Sequence, residues 1–383
     1  MARKLNYIAL CLSILMLAPF SPKTFAARGP KNFHAGAVYV LTNQTTNTVA
    51  VFRHNARGVL TSAGEFPTGG AGDPTPQPPD PATDPLASQG ALIMDRGNHH
   101  LYAVNAGSNQ ISVLRIRKTS LDIVDVVDSG GVRPISLALH GDLLYVLNEG
   151  GTPNISGFTI EDDGTLTPLA GSTRPLIGGA AADPAQIGFN HDGSLLVVTE
   201  KAGNRINAYT INDDGLPSPP IENASNGTTP FGFAFNNADT LVVSEAFGGA
   251  PNQSAGSSYE VAEDGTITVI SGSVPNSQTA SCWLVIPNNG KTAFVSNTGS
   301  GTISSYSITA RDGSLTLLNP AAADIGMSSA PIDMDLSVNS RLLFVLLGGS
   351  QSVASFRVWK NGNLTPIDTI GGLPLGAQGI AAK

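Results

Sequence analysis

The sequence predicts an all-β protein, a seven-bladed β-propeller whose ring is closed by the C-terminal strand completing blade one. Three features support this prediction. A short apolar phrase recurs seven times, Asp-Gly or Asn-Gly pairs recur between the copies, and the end of the chain resembles an inner strand that blade one lacks. A four-stranded blade takes about 40–50 residues, which matches the period of the repeat.

The recurring phrase is an apolar run that ends in a polar residue followed closely by glycine. One position can be aligned through all seven copies: Tyr39, Tyr102, Tyr145, Leu196, Leu241, Phe294 and Phe344. Consecutive copies are 43 to 63 residues apart, so each copy should supply the second strand of one blade. The longest interval contains residues 70–85, rich in Pro and Asp, which we expect to form an exposed loop over one face.

The pairs between the copies are hairpin turns. They stand at 163–164, 214–215, 264–265, 312–313 and 361–362, each time Asp or Asn followed by Gly. Glycine adopts positive φ without steric cost, which such turns require. The pairs lack the alternating oxygen ligands and distal Glu of a calcium loop, so the sequence predicts no metal site in them.

The two ends of the chain predict how the ring closes. The repeat begins at residues 37–41 as a second strand with no first strand before it. Residues 378–381 resemble the first strand of blade two, and we expect them to pair beside residues 37–41 and remove the open edges of the ring. Residues 37–383 then form one propeller domain, and residues 27–36 form a linker.

Residues 1–26 have the pattern of a secretory signal. Arg3 and Lys4 precede a short apolar run, and Thr24-Phe25-Ala26 is a plausible cleavage site. Removing this segment leaves 18 basic and 29 acidic residues, a net charge of −11. From the leader we expect a secreted or periplasmic protein. From the net charge we expect no nucleic-acid partner and no membrane insertion, since nucleic acid and anionic membranes require basic patches. We also expect a monomer.

Three glutamates are the candidate catalytic residues. In a propeller, first strands begin and second strands end at the same face of the central channel. Glu149, Glu200 and Glu245 follow second strands of three neighbouring blades, and we expect them to occupy one structural position. Clustered carboxylates raise one another's pKa, as acid–base catalysis near neutral pH requires. The alternative is that each Glu pins a loop or forms an ion pair.

Six further residues are predicted to bind substrate around the glutamates. They are Gln186, Phe231, Trp283, Asn297, Lys201 and Arg205. Five of them also have a structural alternative: the aromatic side chains pack in a core, Asn297 caps the following turn, and the two cations pair with the glutamates. The one cysteine beyond the leader, Cys282, is predicted to be a buried structural thiol. The sequence predicts no cofactor and no metal.

The repeat phrases resemble the seven-bladed lactonase family, the propellers related to 6-phosphogluconolactonase and carboxymuconate lactonising enzyme. The resemblance extends from about residue 37 to residue 383 and is most specific at 143–149, 189–193 and 294–299. It implies that a lactone ring is opened or closed at the channel mouth by His, Glu and Arg side chains without a metal.

The sequence departs from the family at its basic positions. Ala185 stands where the family usually has His, Phe231-Gly232 where it has Arg-His, and Thr298 where it has Arg. Three functions stay open: a lactone hydrolase or lactonising enzyme, a non-catalytic propeller binding a protein or glycan ligand through its channel face, and a divalent-metal site built from Glu and Asn.

Overall fold

The computed structural model describes residues 34–76 and 81–383 and confirms the seven-bladed propeller. Its strands form seven antiparallel sheets, each with four strands in radial order from the channel outward, and blade three carries a short fifth strand. The predicted leader, residues 1–26, and most of the predicted linker lie outside the described residues.

The strands are numbered in chain order. Blade one contains β1 (His34–Leu41), β2 (Thr48–Asn55), β3 (Leu60–Pro67) and the last strand, β29 (Ile380–Ala382); blade two contains β4 (Leu92–Met94), β5 (His100–Asn105), β6 (Gln110–Ile116) and β7 (Leu121–Asp128). Blade three contains β8 (Val132–His140), β9 (Leu143–Gly150), β10 (Asn154–Ile160), β11 (Leu166–Pro168) and β12 (Arg174–Pro175); blade four contains β13 (Pro184–Phe189), β14 (Leu195–Glu200), β15 (Arg205–Thr210) and β16 (Ile221–Ala224).

The remaining blades follow the same order. Blade five contains β17 (Pro230–Phe235), β18 (Leu241–Glu245), β19 (Ala255–Val261) and β20 (Ile267–Pro275); blade six contains β21 (Ser281–Val285), β22 (Thr292–Asn297), β23 (Thr302–Ile308) and β24 (Leu315–Asp324). Blade seven contains β25 (Pro331–Leu336), β26 (Leu342–Leu347), β27 (Ser352–Val358) and β28 (Leu364–Gly371). Three short 3₁₀ turns span Gly179–Ala181, Phe247–Gly249 and Met327–Ser329.

Burial falls from the inner strands of a blade to its outer strand. Every residue of β14, β22 and β26 is buried, because neighbouring blades cover both faces of a second strand. The fourth strand β3 instead exposes most of its side chains. This gradient explains why the second strands read as continuous apolar runs, from which the repeat can be recognised, while the outer strands are much harder to see in the sequence.

The C-terminal strand closes the ring as predicted. Strand β29 pairs antiparallel with β1, Tyr39 opposite Ala381, and further backbone bonds join Gln378 N to Leu41 O (2.8 Å) and Lys383 N to Ala37 O (2.9 Å). The Asp335 carboxylate of β25 accepts the backbone N–H of Ala382 at 2.8 Å, which ties the closing strand to blade seven as well.

Deleting the last eight residues should destabilise the whole ring. The deletion exposes the edge of β1, removes the bond from Ala382 to Asp335 of β25, and removes Ile380, whose burial alone is worth about 2 kcal/mol. We expect the free energy of unfolding to fall by at least about 3 kcal/mol, measured by chemical denaturation of the purified protein. A truncated chain with unchanged stability would contradict closure by β29.

Asp335 should make the stability of the ring depend on pH. Burial raises the pKa of this carboxyl to about 7 from 3.8. The folded state therefore favours the protonated acid, and its stabilising contribution is complete below pH 4 and disappears as the pH rises through 7. The melting temperature of the wild type should therefore fall relative to that of Asp335→Asn as the pH rises over that interval. A constant difference from pH 4 to pH 8 would show that Asp335 does not titrate in this way.

Candidate functional site

The three predicted glutamates do not share one structural position. In the strand pairing, Glu200 lies opposite Arg205 and Glu245 opposite Ala255, whereas in blade three Asn148 is the residue at that place, opposite Asn154. Glu149 is therefore one residue further along the chain. Because successive side chains of a strand point to opposite sides, this shift separates Glu149 from the other two. The expectation of a common position is wrong.

Glu200 is buried and bonded between two chain segments. Its side chain has no exposed surface, accepts the backbone N–H of Gly178 at 3.0 Å and accepts a bond from the Asn207 amide. Burial raises the pKa of Glu200. The glutamate therefore joins the connection that enters blade four to the third strand of that blade.

Glu245 has the same role in blade five. It is fully buried and accepts the backbone N–H of Gly227 at 2.8 Å, the Ser273 hydroxyl at 2.7 Å and the Ser257 hydroxyl. A Cβ at Gly227 would collide with this carboxylate, so the connection needs glycine for the close approach. Both glutamates thus use their oxygens to hold interblade connections.

Asn297, predicted to bind substrate, holds the equivalent place in blade six. Its side chain is buried, accepts hydrogen bonds from Ser281 (2.5 Å) and Asn276 (3.1 Å), and donates to Thr302 and Ser304. The same pattern recurs at Asn105 in blade two, which donates to Ser112 at 2.7 Å. The last residue of the second strand is an anchor for the connection entering each of these blades.

The residues that reach the channel mouth occupy two other positions in each blade. One is the residue after that anchor, which includes Glu149 and Lys201. The other lies at or near the start of the first strand and has positive φ in successive blades: Ala87, Arg133, Asp183, Thr229, Ala280 and Ala330. Blades three and four place charged residues at both positions, and these four side chains form the mouth cluster: Arg133, Glu149, Asp183 and Lys201.

Arg133 connects this cluster to the loop above it. Its guanidinium donates to the Glu149 carboxylate, to Asp73 at 3.1 Å and to the Pro85 carbonyl at 2.6 Å. The Arg133 side chain is 9% exposed and that of Glu149 is 14% exposed, so solvent reaches the pair at its edge. Residues 70–76 and 81–87 thus lie over the mouth as predicted, but Asp84 is buried, so the loop is less exposed than expected.

Lys201 forms the second half of the cluster. Its ammonium lies 2.9 Å from the Asp183 carboxylate and 3.0 Å from the Ala87 carbonyl, and 5.3 Å from the centre of the Phe231 ring. Phe231 in turn packs on Trp283, with ring centroids 4.9 Å apart. Of the predicted binding residues, Lys201 and Phe231 are therefore brought to the mouth beside Glu149.

The groups around Glu149 shift the pKa of its carboxyl in opposite directions. Burial raises its pKa, the positive charges of Arg133 and Lys201 oppose that shift, and the negative charge of Asp183 adds to it. A raised pKa is the direction that general acid–base chemistry requires of a carboxyl.

Gln186 and Trp283 lie deeper and bond across blades. The Gln186 amide bonds the backbone of Phe233, accepting at 2.7 Å and donating at 3.1 Å, and the Trp283 indole N–H donates to the Ser88 carbonyl at 2.9 Å. Gln89, from the same ring of first strands, spans the channel to the backbone of Leu284. These side chains form a floor that closes the channel beneath the mouth.

Arg205 is not brought to the mouth. It lies on β15, bonds Glu222 and is 3.8 Å from Glu200.

Cys282 is buried and burial raises the pKa of its thiol, as a structural role predicts. Within the part of the chain that the structure describes, no group of three or more His, Cys, Asp or Glu side chains is placed to hold a metal ion. No helix among those residues has the length and apolar character to span a membrane.

Sequence reasoning missed Arg133, Asp183 and Asp73. The first two stand directly before Pro134 and Pro184, and Pro230 and Pro331 begin the corresponding strands of other blades. This recurrent proline is a sequence signal, and the residue before it identifies the positions of Arg133 and Asp183. Asp73 lies in a loop without a repeat, where the sequence offers no comparable signal.

A closed seven-bladed ring with a charge cluster at one mouth defines this protein as a propeller with a candidate site on its axis. The chain belongs to the lactonase family of seven-bladed β-propellers. The model of that family matches residues 31–175 and 93–247, together more than half of the 383 residues. A comparison with curated proteins finds no match.

Solved structures show the same fold at low sequence identity. A Lactobacillus plantarum protein is 18% identical with a TM-score of 0.70, the match covering 91% of this chain and 99% of that one. A predicted 6-phosphogluconolactonase of Bacteroides uniformis is 18% identical, with a TM-score of 0.66 and coverage of 90% and 98%. The periplasmic gluconolactonase of Pseudomonas aeruginosa is 14% identical, with a TM-score of 0.66 and coverage of 90% and 98%.

Replacing either anchor glutamate by Gln should destabilise the fold. Gln keeps the size but turns one acceptor oxygen into a donor beside the N–H of Gly178 or Gly227. We expect Glu200→Gln and Glu245→Gln each to lower the free energy of unfolding by about 1–3 kcal/mol. Glu222→Gln, at a side chain that is 53% exposed, is the control and should change it little. Unchanged stability of both anchor variants would show that their hydrogen bonds are not structural.

Proposed function

We propose that this protein is an exported lactonase that hydrolyses a small uncharged lactone at the mouth cluster, with Glu149 as the acid–base residue. The observation that carries the proposal is the partly buried Arg133–Glu149 pair beside Lys201 and Asp183 at the mouth of a lactonase-family propeller. Of the three predicted glutamates, Glu149 is the one that this cluster contains.

The proposed reaction needs a proton carrier and a positive partner for oxygen. Water adds to the lactone carbonyl, the ring C–O bond breaks, and the leaving oxygen takes up a proton. Glu149 accepts the proton of the attacking water and returns it to the leaving oxygen, so the products are one hydroxyl and one carboxylic acid, which ionises in solution. Arg133 and Lys201 stabilise the negative charge that develops on the carbonyl oxygen.

Charge balance at the mouth supports an uncharged substrate. Two cations, Arg133 and Lys201, face three carboxylates, Asp73, Glu149 and Asp183, and both cations also bond carbonyls of the covering loop. The positions at which the family usually has His and Arg hold Ala185, Phe231 and Thr298. Little positive charge is left to balance a phosphate, so a phosphorylated lactone fits this mouth poorly.

Export rests on the leader predicted for residues 1–26. The mature net charge of −11 is a separate observation, and it argues only against nucleic acid as a partner. We place the mature protein outside the cytoplasm, either secreted or in a periplasm. The Pseudomonas aeruginosa protein of the same fold is a periplasmic gluconolactonase, which supports this compartment for a propeller of this type.

A non-catalytic binding function is the second candidate. It is favoured by the covering loop, because the Pro85 and Ala87 carbonyls occupy donors of both mouth cations. In that case the cluster holds the loop in place, and the loop and mouth together present the surface for a protein or glycan ligand.

The test is hydrolysis of a panel of lactones by the purified mature protein. We expect uncharged sugar lactones to be hydrolysed, and 6-phosphogluconolactone to show a kcat/KM at least about tenfold lower than its unphosphorylated analogue, the effect of about 1.4 kcal/mol. Glu149→Gln should lower kcat by about 10²-fold or more, since Gln carries no transferable proton. Activity is followed by the acid released.

Two controls make this test specific. Glu260→Gln changes an exposed glutamate on β19 and should leave kcat unchanged, and the melting temperature of Glu149→Gln should stay close to that of the wild type. Full activity in Glu149→Gln would disprove the proposed acid–base role. Lactone binding without hydrolysis by the wild type would favour the binding function instead.

A further inference from the structure

The face opposite the mouth carries a groove that the proposed reaction does not use. First strands begin at the mouth, so the turns between first and second strands lie at the far face, and these turns supply much of the groove. Three adjoining cavities of about 760, 460 and 230 Å³ follow blades six, seven, one and two. They share lining residues, Arg341 and Leu342 between the first two and Gly36 and Lys383 between the last two, and we refer to them together as the basal groove.

The basal groove is basic in an acidic protein. The chain has 29 acidic and 21 basic residues, yet no Asp or Glu within residues 34–76 and 81–383 lines any of the three cavities. Seven basic side chains line them: Arg53, Arg117, Lys118, Arg341, Arg357, Lys360 and Lys383. Among the described residues only Arg117 of these seven forms a salt bridge, with Asp122. Such a concentration of positive charge attracts an anion.

The largest cavity also offers a surface for stacking. Trp359 is 48% exposed, although its indole N–H donates to Thr365 at 2.9 Å and the Arg357 guanidinium lies 5.8 Å from its ring. These contacts hold the ring in one orientation before any ligand arrives, which reduces the entropy cost of binding. Beneath it, the buried residues Phe294 and Leu342 provide an apolar floor.

Amide groups complete the lining of this cavity. The side-chain oxygens of Asn289, Asn339 and Asn361 accept backbone N–H groups of their own turns, which leaves their NH₂ groups as donors at the rim. An apolar floor, one ordered aromatic wall and a rim of donors and cations suit a ligand with C–H faces, hydroxyls and negative charge.

We propose that the basal groove binds an acidic oligosaccharide, a chain of sugars bearing carboxylate groups. A sugar ring stacks on Trp359, its hydroxyls accept from the Asn amides, and its carboxylates pair with Arg341, Arg357 and Lys360. Nucleic acid fits less well, because a duplex with a phosphate every ~1.7 Å is repelled by this acidic protein more strongly than a sugar chain with at most one carboxylate per ring. The chain's own residues 27–33 are no better match, since they contain Arg28 and Lys31 and no acid.

The test measures binding of a short oligogalacturonide by tryptophan fluorescence and by calorimetry. Of the two tryptophans Trp283 is fully buried, so a ligand on the far face should quench Trp359 alone. The methyl-esterified oligomer keeps the sugar chain and loses the charge, and it should bind at least about tenfold more weakly. Trp359→Ala and the double variant Arg341→Gln, Arg357→Gln should each weaken binding of the acidic form to a similar extent.

Matched controls separate this site from the rest of the molecule. Arg311→Gln removes an exposed arginine outside the basal groove and should leave binding unchanged. The groove variants should keep the wild-type melting temperature and the wild-type lactone hydrolysis, which arises at the opposite face. Absence of oligogalacturonide binding, equal binding of the esterified form, or equally tight binding of duplex DNA would overturn the proposal.

Discussion

Closure of the ring by β29 is the constraint on which the other features depend. A blade has no stable isolated form, because its inner strands are buried by the neighbouring blades on both sides, and β29 supplies the innermost strand that blade one lacks. The strand is short, yet it bonds both β1 and the Asp335 carboxylate of blade seven. The geometry of the mouth follows from this closure, because seven first strands can converge on one axis only if the circle is complete.

A second constraint is the anchor at the end of the second strand in blades two, four, five and six. Glu200, Glu245 and Asn297 bond the connection that enters their own blade. This fixes at the mouth both the residue after the anchor and the positive-φ residue near the start of the first strand. In these blades, fold and site are therefore coupled through one hydrogen-bonding position. A buried carboxylate suits that position only where several donors surround it, as Gly227, Ser257 and Ser273 surround Glu245.

The fold could be predicted from the sequence because each blade repeats the same local sequence pattern. Second strands are apolar throughout, hairpin turns need Asp-Gly or Asn-Gly, and the first strand missing from blade one has its counterpart at the C-terminus. The site was predicted less well. Glu149, Glu200 and Glu245 look equivalent by charge, but Asn148 shifts Glu149 by one residue, and a one-residue shift changes the side of the strand. Arg133 and Asp183 could have been recognised by the proline after them, whereas the bonds from Arg133 to Asp73 and Pro85 depend on how a loop without a repeat folds over the mouth.

The two faces of the ring thus differ in their charged side chains, a difference that the net charge of the whole chain does not show. At the mouth, cations and carboxylates neutralise one another under a covering loop, and burial leaves Glu149 with a raised pKa. At the far face, basic side chains line an open groove, and no Asp or Glu of the described part of the chain contributes to its lining. A chain can carry both because the strands hold the faces apart, so the charges of one face are largely screened from the other. We infer that an uncharged substrate and an anionic chain can be bound at the same time, each by the face whose electrostatics suit it.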